Sequence, residues 1–422
     1  MPLNSIDGTD ESEPLPGTIA ADHIRGFGGN DTVSGESGND SIEGGSGHDH
    51  LYGGDGRDTI RGGDGDDRIE GAAGNDRLYG DAGNDSFGIG FFGGAGTWRV
   101  FGGADDDRMA VFDRVSGHFD GGTGDDRFQL FWYQSPEAVS GSLASGFASG
   151  AYNFGLAGVE RLSITTGSAD DTITGGNGRD EIAVLAGANV VDAAGGNDLV
   201  AYHAGLANTL DGGAGNDMLR TGLPYNGAPA RFTFDASGPV VTDGLGSTIV
   251  GFERYWVAGS YYNDTLTGGA GRDRLQGITG HDVLSGMGGD DHLAGGSGDD
   301  RLSGGAGNDR LHGGSGYDTL EGGDGADTFV FRRPDGEFDV IADFSGAEGD
   351  HLVVPGGWYG LPAGAPVTLS LDAALGTTRQ FVYDTVTGLL IYDADGTGGV
   401  AAVQVAVLTG APTLTSFDIE VI

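Results

Sequence analysis

The sequence predicts an all-β chain assembled from tight turns and short strands. Three observations carry that prediction: a nine-residue unit recurs in unbroken register, glycine supplies 87 of 422 residues, and no stretch has the apolar periodicity of a long amphipathic helix. Only 37% of the residues are hydrophobic, which argues against two or three compact cores of the ordinary kind. Glycine at this level, without every-third spacing and with only 12 prolines, reads as many tight turns and not as a triple helix.

Taken in order, residues 1–16 form an N-terminal lead. Met1 to Ala20 contains no Lys or Arg and no apolar run, so no conventional signal peptide is expected there. From Gly17 to Gly88 the chain falls into eight units without a gap: GTIAADHIR, GFGGNDTVS, GESGNDSIE, GGSGHDHLY, GGDGRDTIR, GGDGDDRIE, GAAGNDRLY and GDAGNDSFG. Their sixth positions are Asp22, Asp31, Asp40, Asp49, Asp58, Asp67, Asp76 and Asp85, and their eighth positions are all apolar, from Ile24 to Phe87.

Residues 89–165 hold degenerate repeats and an inserted β segment, 166–220 degenerate repeats, and 221–258 a second inserted β segment. Weaker units surround Asp107, Asp126, Asp171, Asp180, Asp198 and Asp217, while Trp98 and Asn189 stand where Asp is expected. Tyr152, Phe154 and Leu156, like Phe232 and Phe234, alternate with small or polar residues as strands do. These inserts are expected to cap or bridge the repeat blocks. A longer duplication aligns without gaps, GVERLSITTGSADDTITGGNGRD from Gly158 and GFERYWVAGSYYNDTLTGGAGRD from Gly251.

A second regular block spans 259–330, with Asp264, Asp273, Asp282, Asp291, Asp300, Asp309, Asp318 and Asp327 in sixth position. From 331 to 422 the glycine repeat stops and apolar residues rise, which reads as a C-terminal β cap. Asp393, Asp395 and Gly396 in YDADGTGG lack the later ligands of an EF-hand loop, so a turn between strands is expected.

The units match GGxGxDxUx and so resemble the repeats of the RTX (repeats-in-toxin, hemolysin-type) calcium-binding proteins. The resemblance implies a parallel β-roll. In it six residues of each unit turn, three form a short strand, and two units make one coil. It further implies multiple Ca2+ ions held by the sixth-position aspartates of units n and n+2, about six ions for eight units. The residue types suit that role. First-, second- and fourth-position glycines let backbone carbonyls converge, and the carboxylate adds the charge that a hard cation requires.

Charge points the same way. There are 63 acidic residues against 21 basic ones, all arginine, and the net charge of -42 makes nucleic acid an improbable partner. Stacked aspartates repel one another unless cations intervene, and one buried apolar residue per unit cannot offset the backbone entropy of nine ordered residues. Metal affinity then becomes folding free energy. The chain is therefore expected to be unfolded where calcium is scarce and to fold outside the cell.

The ending LTSFDIEVI, with Phe417, Ile419, Val421 and Ile422, is similar in composition to the uncleaved signal of type I secretion, so the type I apparatus is an expected partner. No stretch reaches the apolar length of a membrane span, and the absence of cysteine excludes disulfides and thiolate sites. Neither HExxH nor GxSxG occurs, and His48 and His50 read as outward-facing residues rather than zinc ligands. The repeats begin at Gly17, which leaves no room ahead of them for a catalytic domain in this sequence. The expected function is a secreted, calcium-binding, structural, adhesive or surface-associated protein, with the cell surface, polysaccharide or self-association as partner classes. The alternative is a polysaccharide-active enzyme using carboxylates of the middle region, where Trp98, Trp132, Tyr133, Tyr255, Trp256, Tyr261 and Tyr262 could meet sugars.

Overall fold

The computed structural model of the protein describes residues 4–89, 96–112, 115–203, 206–222, 231–234, 241–242, 247–331, 337–372, 379–394 and 402–422. Asp395 and Gly396 lie outside them. The chain divides into two compact units, Met1–Tyr202 with Leu206–Asp217, and His203–Gly205 with Met218–Ile422.

Each unit is a parallel β-roll, because the nine-residue register becomes an 18-residue coil. In the first unit Ile24 lies beside Ile42 and Ile42 beside Ile60 on one sheet, while Val33, Leu51 and Ile69 line up on the other. In the second unit Leu275, Leu293, Leu311 and Phe329 make one column and Leu266, Leu284, Leu302 and Leu320 its counterpart. These eighth-position side chains are buried and form the core. Alternation along each strand then sends the seventh and ninth positions outward.

The strands are longer than the three residues expected. They begin at the seventh position and run through the third position of the next unit, as in Ser41–Ser46 and Thr59–Asp64. The ladder skips the first position and resumes at the second, with Gly45 opposite Gly63, where the residue enters the left-handed region. Phe27, Glu36, Ala72, Asp81, Ile278 and Met287 occupy this position with φ between 64° and 88°. A β-branched residue there is strained, and the stacked coils hold Ile278 in place.

The first roll starts earlier than its glycine signature. Asn4–Asp7 and Pro14–Thr18 already form a coil, with Ile6 beside Ile24 and Leu15 beside Val33. Within the same unit the insert is an antiparallel meander of Val139–Ser142, Gly146–Ser149 and Tyr152–Ala157. Its outer strands pair in parallel with the roll on either side, with Ser116–Thr123 and Thr172–Thr174. Phe128 packs against Phe147 and Phe154 with ring centroids 6.2 and 5.3 Å apart, so the insert shares the roll's core. Trp98, Trp132 and Tyr255 are likewise buried, whereas Tyr133, Tyr261 and Tyr262 are exposed.

In the second unit the roll continues past Val330 through Asp339–Ile341 and His351–Val354. An antiparallel sheet of Gln380–Tyr383, Leu389–Asp393 and Val403–Leu408 follows. The last strand, Ile419–Val421, pairs with His351–Val354, so Ile419 and Val421 are buried while Phe417 is exposed. Among the described residues the only helix is the single turn Gly356–Tyr359, and no helix is long and apolar enough to cross a membrane.

Candidate metal centre

All 22 sixth-position aspartates singled out from the sequence are buried, each no more than 3% exposed. Burying so many carboxylates is costly unless each oxygen finds a partner. One oxygen does. In the first block Oδ1 of each aspartate accepts the backbone N–H of the aspartate 18 residues earlier, from Asp22 N–H on Asp40 to Asp67 N–H on Asp85, at 2.7–2.9 Å. The ladder recurs in the second block from Asp264 to Asp327 at 2.7–2.8 Å.

The other oxygen divides the aspartates into two kinds. In Asp31, Asp40, Asp49, Asp58, Asp67, Asp85, Asp107, Asp126, Asp198, Asp282, Asp291, Asp300, Asp309 and Asp327, Oδ2 is buried with no hydrogen-bond donor among the described residues. In Asp22, Asp180 and Asp273 it accepts the second-position N–H of its own turn, from Thr18, Gly176 and Gly269, at 2.6 Å. Asp264 does the same with Ser260, and Asp76 Oδ2 accepts the indole N–H of Trp98 at 2.8 Å. Asp22 and Asp264 open the two regular blocks. At Thr18, Gly176, Ser260 and Gly269 the second-position residue lacks the left-handed φ, which frees its N–H to turn inward, whereas Ala72 keeps it and the indole closes the Asp76 turn.

What surrounds the open Oδ2 atoms is seen at the two asparagines that replace aspartate. Asn189 keeps its Oδ1 in the ladder, accepting Asp171 N–H at 2.9 Å, and points its amide nitrogen at the carbonyls of Ala186 and Gly187, 3.4 and 3.3 Å away. Asn208 directs its amide at Leu206 O, 2.9 Å away. An amide donor therefore fits where an aspartate would set a carboxylate oxygen against carbonyl oxygens. A Cβ built on first-position Gly286 would lie 2.1 Å from Asp291 Oδ2 and 2.6 Å from Gly304 O, so only glycine leaves that space open. A cradle of carboxylate and carbonyl oxygens with no donor inside it fits Ca2+, which takes six to eight oxygens at roughly 2.3–2.6 Å. Among the described residues no three acidic or histidine side chains converge on one point, so such an ion would draw mainly on backbone carbonyls.

Burial drives the carboxyls upward. Asp85 and Asp291 are pushed up to about 8, by desolvation first and then by the charges of Asp107 and Asp67, and of Asp273 and Asp309. Asp58, Asp67, Asp107, Asp198, Asp273 and Asp300 are pushed up to about 7, again chiefly by burial. These values exceed the unfolded carboxylate's, so the calcium-free fold binds more protons than the unfolded chain between about pH 4 and pH 8. Its stability must fall as pH rises through that window. Calcium-stripped protein is accordingly expected to show more β signal in circular dichroism near pH 5 than near pH 8, and equal spectra would contradict this.

Sequence reasoning missed several members of the ladder. Glu160 Oε2 accepts Asp126 N–H at 2.8 Å after the insert, and Asp350 Oδ1 accepts Asp327 N–H at 2.9 Å beyond the second block. Spacings of 34 and 23 residues hide them. A second ladder on the roll surface joins fifth positions in the opposite sense: Asn30 Oδ1 accepts His48 N–H, and His48 Nδ1 accepts Asp66 N–H at 2.8 Å. His48 thus serves the backbone, and His50 is exposed on the following strand. A cleft of 880 Å³ beside the insert is lined by Asp125, Glu160 and Asn177. Both of its carboxylates are engaged, Asp125 with Arg161 at 2.9 Å and Glu160 in the ladder.

The model of the RTX calcium-binding nonapeptide repeat (4 copies) matches residues 16–51, 25–60, 52–87, 165–200, 206–223, 256–284, 276–311 and 303–332. Among solved structures the chain is similar to a hyperactive, Ca2+-dependent, β-helical antifreeze protein from an Antarctic bacterium, at 18% identity over 76% of this chain and 84% of that one, with a TM-score of 0.24. It is also similar to the extracellular lipase LipA from Serratia marcescens, at 17% identity over 64% of this chain and 44% of the lipase, with a TM-score of 0.15. No curated protein matches the chain.

Proposed function

We propose that the chain, which carries RTX calcium-binding nonapeptide repeats over 16–87, 165–200, 206–223 and 256–332, is a secreted protein that folds on calcium outside the cell and serves there as a structural, adhesive or surface-associated element. The observation that carries the calcium part is the row of buried Oδ2 atoms without donors, set against turn carbonyls. Asp31, Asp40, Asp49, Asp58, Asp67, Asp85, Asp107, Asp126, Asp198, Asp282, Asp291, Asp300, Asp309 and Asp327 are the proposed ligands. Asp171, Asp217 and Asp318 are kept as candidates on their register. Asp22, Asp76, Asp180, Asp264 and Asp273 already hold a hydrogen bond on Oδ2, and for them we propose a closing role at turns that need no ion.

The folding switch supports the extracellular part of the reading. A chain whose carboxylates repel without calcium stays extended in a calcium-poor compartment and suits passage through a narrow channel of the type I kind. Millimolar calcium outside matches the affinity of extracellular modules, roughly 10⁻⁴ to 10⁻³ M. The apolar C-terminal residues Phe417, Ile419, Val421 and Ile422 are the proposed export signal; once folded, Ile419 and Val421 also close the roll. Incubated with bacterial cells in millimolar calcium, the protein is expected to sediment with them and to be released by chelator. Protein that stays in the supernatant under both conditions would count against the surface role.

A further inference from the structure

One face of the second unit departs from the acidity of the chain. Its outward column, one residue per strand, reads Arg220, Trp256, Arg274, His292 and Arg310. The neighbouring outward column, from Ala258 to His312, carries no carboxylate. Arg220, Arg274 and Arg310 make no ion pair among the described residues, in a molecule of net charge -42.

The guanidinium groups are also held in place. Trp256 stands between two of them, with Arg220 4.3 Å and Arg274 5.2 Å from its ring centroid. Stacking on an indole uses the guanidinium face and leaves the N–H fork free for a planar anion. His292 sits between Arg274 and Arg310, and burial followed by the charges of those two arginines pushes its imidazole below the usual range. A neutral His292 leaves the fixed charges on alternate strands, so the forks repeat every two strand spacings, about 9.6 Å.

We propose that this column binds an extended polysaccharide bearing an acidic group on alternate sugars. An extended glycan advances by about one strand spacing per sugar, so a disaccharide repeat brings each carboxylate or sulphate to one arginine fork. Double-stranded DNA, with a charge every 1.7 Å or so, fits neither this spacing nor the net charge of the molecule. The proposal deepens the surface-associated reading by naming its partner, and it rests on that reading in requiring the calcium-loaded fold.

The test uses the full chain in saturating calcium, with hyaluronan as the acidic probe, its methyl ester as the neutral one and single-stranded DNA as a competing polyanion, in isothermal titration calorimetry. Hyaluronan is expected to bind and the methyl ester not to. The double variant R274Q/R310Q should weaken binding at least tenfold, while R301Q, outward on the opposite sheet, should leave it unchanged. Circular dichroism of each variant in calcium separates lost recognition from lost folding. A folded wild-type chain that fails to bind hyaluronan, binding untouched by R274Q/R310Q, an equal loss in R301Q, or equally tight binding of the DNA would each overturn the proposal.

Discussion

Replacing Gly56 by alanine is expected to destabilise the first block by about 3 kcal/mol or more in saturating calcium, read as a large drop in its thermal midpoint. Gly56 is a fourth-position glycine with φ of 151°, and a Cβ on it would lie 1.4 Å from the carbonyl oxygen of Gly38 on the coil below. The obstacle is backbone, and that backbone is fixed by parallel pairing, in which Ser37 faces Asp55 and Gly38 N–H donates to Asp55 O at 2.7 Å. A methyl group can be accommodated only by parting the coils, which breaks ladder bonds and opens the oxygen cradles on either side. Alanine at Gly357, where a Cβ meets nothing within 4 Å, is the matched control and should change little. Equal midpoints for the two variants would show that coil spacing does not limit stability.

Asp291 separates metal binding from backbone support. Its Oδ1 accepts Asp273 N–H at 2.7 Å, and its Oδ2 has no donor. Asp291→Ala removes both, leaving a buried N–H unpaired at a cost of about 1–3 kcal/mol besides the lost ligand. Asp291→Asn should behave differently: its oxygen keeps the ladder bond, and its amide donates to turn carbonyls as Asn189 does. We expect both variants to bind fewer calcium ions in calorimetry, with an affinity loss of about tenfold or more for the affected row. Only the alanine variant should also lose ladder stability. Asp22→Asn should leave calcium binding nearly unchanged, because Thr18 N–H and its hydroxyl already hold that carboxylate at 2.6 and 2.9 Å. Wild-type calcium stoichiometry in Asp291→Asn would show that Oδ2 is not a ligand.

The regular blocks were legible because one residue type per position does one job. Asp at six, apolar at eight and glycine at one, two and four translate directly into ladder, core and turn. The roll's first coil was hidden because Asn4 and Glu13 hold the sixth positions in place of Asp and Gly8 is the lead's one glycine, although Ile6 and Leu15 stand 18 residues before Ile24 and Val33 and carried the signal. The parallel pairing of Ser116–Thr123 with Tyr152–Ala157 could not be read, since an insert's partners depend on which edges the roll leaves open. Strand length was underestimated because glycines were assigned wholly to turns, whereas second- and third-position residues continue the ladder. The division of aspartates into open and closed turns was equally invisible: it depends on φ at the second position, and Gly176 and Gly269 close where Gly45 and Gly63 do not.

The account stands on calcium converting a repulsive stack of carboxylates into a folded roll. Far-ultraviolet circular dichroism of the full chain at neutral pH, first in excess chelator and then through a calcium titration, tests this most directly. The predicted result is a disordered spectrum in chelator that turns cooperatively into a β spectrum as calcium approaches millimolar concentration. A chain equally β-structured in chelator and in calcium would contradict it.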